Sequence, residues 1–164
     1  MKQTATEVQL NPAEETIQCG HLTIRFLTTA EHSNSSIAAF EMTVPGTRGV
    51  PVPAHSHDAY EETIYGIEGA LLWTVEGKRI NVGPGQVMTI PRGAVHRFDN
   101  TTDNDAKALC VITPAVLGPE YFREIAAVAQ AAQGGLPDRA RMVEIMLRQV
   151  SRRLCHLRRL RAYR

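Results

Sequence analysis

The 164-residue sequence predicts an all-β fold, a small barrel or sandwich, with a short helical extension at its C-terminal end. Three observations predict it. Short runs rich in β-branched and aromatic residues crowd the stretch from residue 22 to residue 113. Turn-forming residues separate nearly every pair of runs. No helical periodicity alternates with them, which argues against a parallel α/β sheet.

The runs are Leu22–Leu27, Ile37–Val44, Glu62–Ile67, Leu71–Val75, Val87–Ile90, Val95–Phe98 and Ala108–Thr113. Between them lie Pro45-Gly46, Glu68-Gly69, Glu76-Gly77-Lys78, Gly83-Pro84-Gly85, Pro91-Arg92-Gly93 and the polar stretch Asn100–Asn104. Many short strands with frequent turns suit a sandwich or a barrel. Ahead of them, residues 1–15 are polar and read as a lead-in; residues 16–114 form the β unit, and residues 115–164 the C-terminal helices and a basic tail.

The helical zone opens at Gly118-Pro119-Glu120, where proline at the first turn and an adjacent acid favour a helix start. Phe122, Ile125, Ala129 and Ala132 share one face, and Gly134-Gly135 marks the stop. Asp138 after Pro137 can begin a second helix. There Val143, Leu147, Val150, Leu154 and Leu157 form an amphipathic seam, expected to pack on the barrel or on a partner subunit.

Composition is that of a globular chain, with 43% hydrophobic and 21% charged residues. A chain of this length buries about 70% of its unfolded surface and needs no disulfide staples. Cys19, Cys110 and Cys155 are far apart and odd in number, so reduced thiols in a cytoplasmic protein are expected. No apolar run approaches the roughly 18 residues of a membrane span, and no leader pattern is visible near Met1. Residues 152–164 carry six arginines and no acid, leaving 12 basic and 17 acidic residues on the remainder. A basic end could contact nucleic acid, but a body with net charge −5 offers no complementary surface, so nucleic acid is not the expected partner.

Four side chains carry the chemistry. His55-Ser56-His57 is an HxH pair, and on an extended strand positions i and i+2 face the same way. Glu62 starts the next run, and His96 follows the Pro91–Gly93 turn. A barrel brings inward-facing residues of neighbouring strands together. Three imidazoles and a carboxylate suit Fe, Mn, Co, Ni, Cu or Zn rather than Ca or Mg. Four protein ligands on an octahedral ion leave two positions for water, oxygen or substrate. His21, His32 and His156 lie outside this pattern and read as surface residues.

At these residues the sequence resembles the cupin superfamily. Gly49, His55, His57, Glu62 and Gly69 match its first motif, G-x5-H-x-H-x4-E-x6-G. Gly85, Pro91, Gly93, His96 and Asn100 match its second, G-x5-P-x-G-x2-H-x3-N, without a gap or substitution. The 15 residues between Gly69 and Gly85 match the short spacing of small bacterial cupins. The resemblance covers roughly residues 36–113. It implies a jelly-roll barrel holding one divalent transition metal through His55, His57, Glu62 and His96. The spacing of six from Glu62 to Gly69 favours Glu62 over Glu61 as the carboxylate ligand. Bacterial cupins commonly pair through barrel strands, which implies a homodimer.

Alternation from the ligands places Ile64 and Gly66, and Ala94 and Phe98, on the inner face. Phe40 and Met42 share a phase with each other, and Trp73 follows the Gly69 turn. Ile64, Phe98, Phe40, Met42 and Trp73 are therefore the candidate substrate-pocket residues, an apolar and partly aromatic wall that suits a hydrophobic small molecule. The segments from Gly118 to Ile125 and from Leu136 to Ile145 resemble those that follow the barrel in quercetinase-like cupins. That resemblance implies a metal-dependent dioxygenase acting on an enol, flavonol-like or aromatic substrate. The same ligands also suit isomerisation, decarboxylation or hydrolysis without oxygen, or a non-catalytic small-molecule binding module, and fold alone does not choose among them.

Overall fold

The computed structural model describes residue 10, residues 15–46, 52–132 and 136–148. Nine strands and a helix follow in order: β1 (Thr16–Cys19), β2 (Leu22–Thr28), β3 (Ala38–Val44), β4 (Glu61–Glu68), β5 (Leu71–Val75), β6 (Lys78–Val82), β7 (Val87–Ile90), β8 (His96–Asp99), β9 (Ala106–Thr113) and α1 (Pro119–Ala131). A second helix, α2, covers 139–148. The strands form two antiparallel sheets, one of six strands in the order β1-β2-β3-β9-β4-β7 and one of three in the order β6-β5-β8. The architecture is the expected jelly roll.

The core lies between the sheets because each strand alternates. On β3 the residues Ala38, Phe40, Met42 and Val44 are buried, while Glu41 and Thr43 turn outward and are only partly covered. Cross-strand register aligns the inner face row by row: Phe26, Phe40, Cys110 and Ile64 oppose one another across β2, β3, β9 and β4. Phe26 and Phe40 then meet Phe122 of α1 at ring distances of 5.7 and 5.2 Å, in edge-on geometry. Such aromatic contacts add about 1 kcal/mol each beyond the area they bury. Through Phe122, α1 is keyed into the larger sheet, and the Cys19 thiol donates to the Phe122 carbonyl.

Two strands lay outside the sequence expectations. β1 is only four residues long, and its alternation is carried by Ile17 and Cys19 alone. β6 is polar, with Lys78, Arg79 and Asn81 exposed, as befits an edge strand whose charges discourage further pairing. It returns from β5 through Glu76-Gly77, both at positive φ (48° and 77°), a turn whose twist matches the hairpin.

α1 starts as expected, with Gly118 as the cap and Pro119 in its first turn. The expected seam on α2 is corrected. Val143 and Leu147 are exposed (46% and 61%), whereas Ile145 is buried. Two residues along a helix is a rotation of about 200°, so Ile145 and the Val143–Leu147 pair occupy opposite sides. Arg148, one turn beyond Ile145, pairs with Glu124 of α1, and that ion pair together with Ile145 sets the inward face. Val150, Leu154, Leu157 and the arginine tail lie outside the described residues, as does Gly49. Among the described residues no helix is long and apolar enough to cross a membrane.

Two backbone positions set the spacing of the sheets. A Cβ on Gly66 would sit 2.1 Å from the Gly83 carbonyl oxygen, because β4 and the 83–86 crossover exchange hydrogen bonds there. Asn100 closes the β8–β9 connection: its Nδ2 donates to Val44 O and Asn104 O at 3.0 and 2.9 Å, and its Oδ1 accepts from Thr102. Removing a buried amide leaves the Val44 carbonyl without that donor, so Asn100→Ala should cost on the order of 2 kcal/mol in urea unfolding. A loss under about 0.5 kcal/mol would show that the loop holds without it.

Candidate metal centre

The HxH segment is not a regular strand, contrary to the simple i, i+2 reading. Only an isolated bridge joins it to β8: His55 and His96 exchange backbone hydrogen bonds of 3.0 and 2.8 Å. Pro53, two residues before, has no N–H to extend the ladder. His57 is instead held by Gly93, whose N–H donates to the His57 carbonyl at 3.1 Å. Gly93 has φ = +79°, a conformation that glycine reaches without strain. The second motif thus physically positions a residue of the first.

Glu62 arrives from the other sheet. On β4 it shares a face with buried Ile64, and opposes Ile112 and Ile90. Glu61 points the opposite way and pairs with Arg92 at 3.0 Å on the surface. Glu62, which the spacing to Gly69 favours over Glu61, is thus the glutamate on the inner face.

His57, Glu62 and His96 offer ligand atoms that all lie within 4.8 Å of one another. Glu62 Oε2 is 3.3 Å from His57 Nε2 and 3.6 Å from His96 Nε2. His55 is not in that set. Its ring centroid lies 4.4 Å from that of His96 and 6.4 Å from that of His57, and it is only half-buried where the other two imidazoles are fully covered.

All three imidazoles are oriented in the same manner. His55 Nδ1 contacts Pro53 O at 2.9 Å, His57 Nδ1 contacts Tyr60 O at 3.1 Å, and His96 Nδ1 contacts Ala94 O at 2.9 Å. A carbonyl only accepts, so each Nδ1 carries a proton, and the Nε2 of His57 and of His96 faces Glu62. This is the orientation of a metal-binding histidine tied by its outer nitrogen. His96 Nε2 is buried and has no hydrogen-bond partner. Two nitrogen lone pairs facing a carboxylate repel unless a cation or proton lies between them, so the donor set fits a divalent transition metal.

The electrostatics agree. Burial alone would raise the Glu62 carboxyl, but His57 and His96 beside it outweigh burial and hold it at about 2. Burial lowers the His55 imidazole, keeping it neutral and ligand-competent. For His96 burial opposes protonation, yet Glu62 and the Ala94 carbonyl pull it above its ordinary value.

The candidate pocket residues Phe40, Met42, Ile64, Trp73 and Phe98 are all buried between the sheets. Phe40 is engaged with Phe26 and Phe122. Trp73 and Phe98 are next to the centre: the Trp73 ring is tilted 46° to Phe98 at 5.0 Å and stacks on His96 at 6.4 Å. Two neighbours escaped the sequence reading. Tyr60 stacks flat on His57, with ring centroids 3.9 Å apart and planes 15° apart. Cys110 is fully buried diagonally across from Glu62 on β9, its thiol raised well above the ordinary range by burial and by that carboxylate. The β9 alternation contains the signal for Cys110; nothing in the spacing marks Tyr60.

Comparison with known proteins adds to this geometry. The cupin domain family matches residues 40–112. Quercetin 2,3-dioxygenase of Bacillus subtilis (strain 168) is 28% identical over 80 residues, 49% of this chain and 23% of that protein. The tetracenomycin polyketide synthase protein TcmJ of Streptomyces glaucescens is 29% identical over 72 residues, 44% of this chain and 48% of that protein. The chain thus spans less than half the length of these curated relatives. Among solved structures, a predicted oxalate decarboxylase from Thermotoga maritima superposes with a TM-score of 0.53 at 24% identity, covering 61% of this chain and 90% of that one. Two sheets closed around an inward-facing His-Glu-His cluster, together with the matching family domain, identify residues 40–112 as a cupin domain.

Proposed function

We propose that this cupin holds one divalent transition metal per chain through His55, His57, Glu62 and His96, and acts as a metal-dependent dioxygenase on a small enol, flavonol-like or aromatic substrate. The observation that carries the metal reading is the common tie of each imidazole Nδ1 to a backbone carbonyl, with the Nε2 of His57 and of His96 facing Glu62. His55 joins the set in this reading because its backbone is bridged to His96 and its ring adjoins the cluster. Fe, Mn, Ni, Co, Cu and Zn all suit such donors. The ion supplies Lewis acidity and, if redox-active, oxygen chemistry.

The chain's own part is orientation and exclusion of water. Tyr60 fixes the plane of His57. Ile64, Phe98, Trp73, Met42 and Phe40 provide the apolar wall. Similarity to the Bacillus quercetin dioxygenase supports the oxygenase reading. In a second reading the same centre promotes isomerisation, decarboxylation or hydrolysis without oxygen. A binding module without turnover is the third.

We further propose a cytoplasmic homodimer, in which residues 16–114 form the barrel unit and 115–164 a C-terminal appendage. The edge strand β7 carries exposed Val87 (66%) beside Tyr65 (44%) of β4, an apolar outer patch suited to strand pairing between copies. Light scattering at micromolar concentration should give twice the chain mass; a monomer at all concentrations would refute it.

For the metal, elemental analysis of protein purified without supplementation should find about one ion per chain. His57→Ala should lose most of it and some thermal stability, since a metal bound only by the folded state stabilises that state. Glu62→Gln should weaken binding strongly and Glu61→Gln should leave it nearly intact; the reverse would mean that the β4 register is wrong. For the reaction, aerobic turnover of flavonols or related enols that stops under anaerobic conditions supports the dioxygenase. Turnover indifferent to oxygen supports the second reading.

A further inference from the structure

Three buried side-chain polar atoms among the described residues have no hydrogen-bond partner: Trp73 Nε1, His96 Nε2 and Arg148 Nε. Arg148 belongs to a guanidinium already paired with Glu124. His96 Nε2 is a lone pair, and a cation at the centre satisfies it. Trp73 Nε1 is different in kind. An indole nitrogen only donates, so no metal can satisfy it.

Trp73 is 1% exposed and is the one tryptophan of the chain. It stands on β5 opposite Phe98, which shares the inner face of β8 with His96. Its ring lies parallel to that of His96 within 30°, centroids 6.4 Å apart. Phenylalanine would line such a wall without an idle donor. A buried N–H without an acceptor is destabilising, and buried indole groups ordinarily find one. The ring with the orphaned donor therefore stacks on the ring with the orphaned imidazole nitrogen, one calling for an acceptor and the other for a cation.

We propose that the Trp73 indole N–H donates to an oxygen of the molecule bound at the His57–Glu62–His96 centre. This rests on the metal reading above and narrows it to a ligand class: compact oxyanions such as carboxylates, enolates and phenolates. A negative oxygen is what a cation and a hydrogen-bond donor both favour, and the donor beside the cation discriminates against ligands that carry one coordinating atom and an otherwise apolar body. Trp73 is then a specificity-determining residue, not merely a wall.

A single tryptophan gives a single indole N–H resonance. The full-length chain, labelled with nitrogen-15 and loaded with diamagnetic zinc, is titrated with oxalate (a carboxylate) and tropolone (an aromatic enolate). Zinc affinity is measured first by calorimetry, so that failure of the metal reading appears there as absence of zinc binding. With zinc bound, at least one probe should bind and move the indole proton downfield. Trp73→Phe should bind zinc within about twofold of wild type but bind that probe about tenfold more weakly, as expected for one lost hydrogen bond to a charged group. Failure of both probes to bind the zinc-loaded protein, binding that leaves the indole resonance in place, or equal probe affinity in Trp73→Phe each overturns the proposal; the last two would mean that a protein-held water satisfies the N–H. Should Trp73→Phe fold poorly, the wild-type indole shift alone decides.

Discussion

The arrangement of the centre depends on where three protons are held. Each imidazole keeps its proton on Nδ1 because a backbone carbonyl sits against that nitrogen: Pro53 for His55, Tyr60 for His57 and Ala94 for His96. Were the Tyr60 or Ala94 carbonyl turned away, the ring it holds would lose its tie and be free to swing from Glu62. The carbonyls belong to the loops that flank the ligands, so loop conformation and ligand chemistry are one constraint. This explains why turn residues recur at fixed distances from the histidines. Gly93, with its positive φ, holds His57 by the main chain and so fixes the entry of β8 at the same time.

The two sheets contribute unequally. Glu62 comes from the six-stranded sheet and His96 from the three-stranded one, so their approach measures how closely the sheets face each other. That spacing is supported at Asn100, just after β8, whose side chain donates to the Val44 carbonyl of β3. Glu61, one residue from Glu62, has its own surface partner in Arg92, which leaves no competing carboxylate on the inner face of β4.

Most of the fold was legible because runs of β-branched and aromatic residues are bounded by turn residues. β5 and β7 run between the residues expected, and β3, β4 and β8 differ by one residue at one or both ends. What escaped was weak in pattern. β1 has two inward residues, too few to establish a period, and β6 is polar because it is an edge. The ligand cluster was legible from spacing, but its geometry was not: the HxH pair lies in a loop anchored by one bridge, so a strand rule cannot place its rings. The α2 seam failed for a related reason. Val143 and Leu147 satisfy helical spacing, yet Ile145 and the Arg148–Glu124 pair decide which side turns inward, and an ion pair to another helix leaves no trace in hydrophobic periodicity.

Gly66 has a mechanical consequence. There the main chain of β4 rests on the main chain of the 83–86 crossover with no side chain between them. A contact of backbone on backbone has no rotamers to relax and no methylene to trim, so it acts as a fixed hinge point for the two sheets. Any opening of the barrel must then be distributed away from it, toward the half-buried His55 and the loop that carries it. The same rigidity makes the distance between the sheets at this end insensitive to changes in core side chains: the barrel can be repacked around the centre while its frame keeps the same gauge.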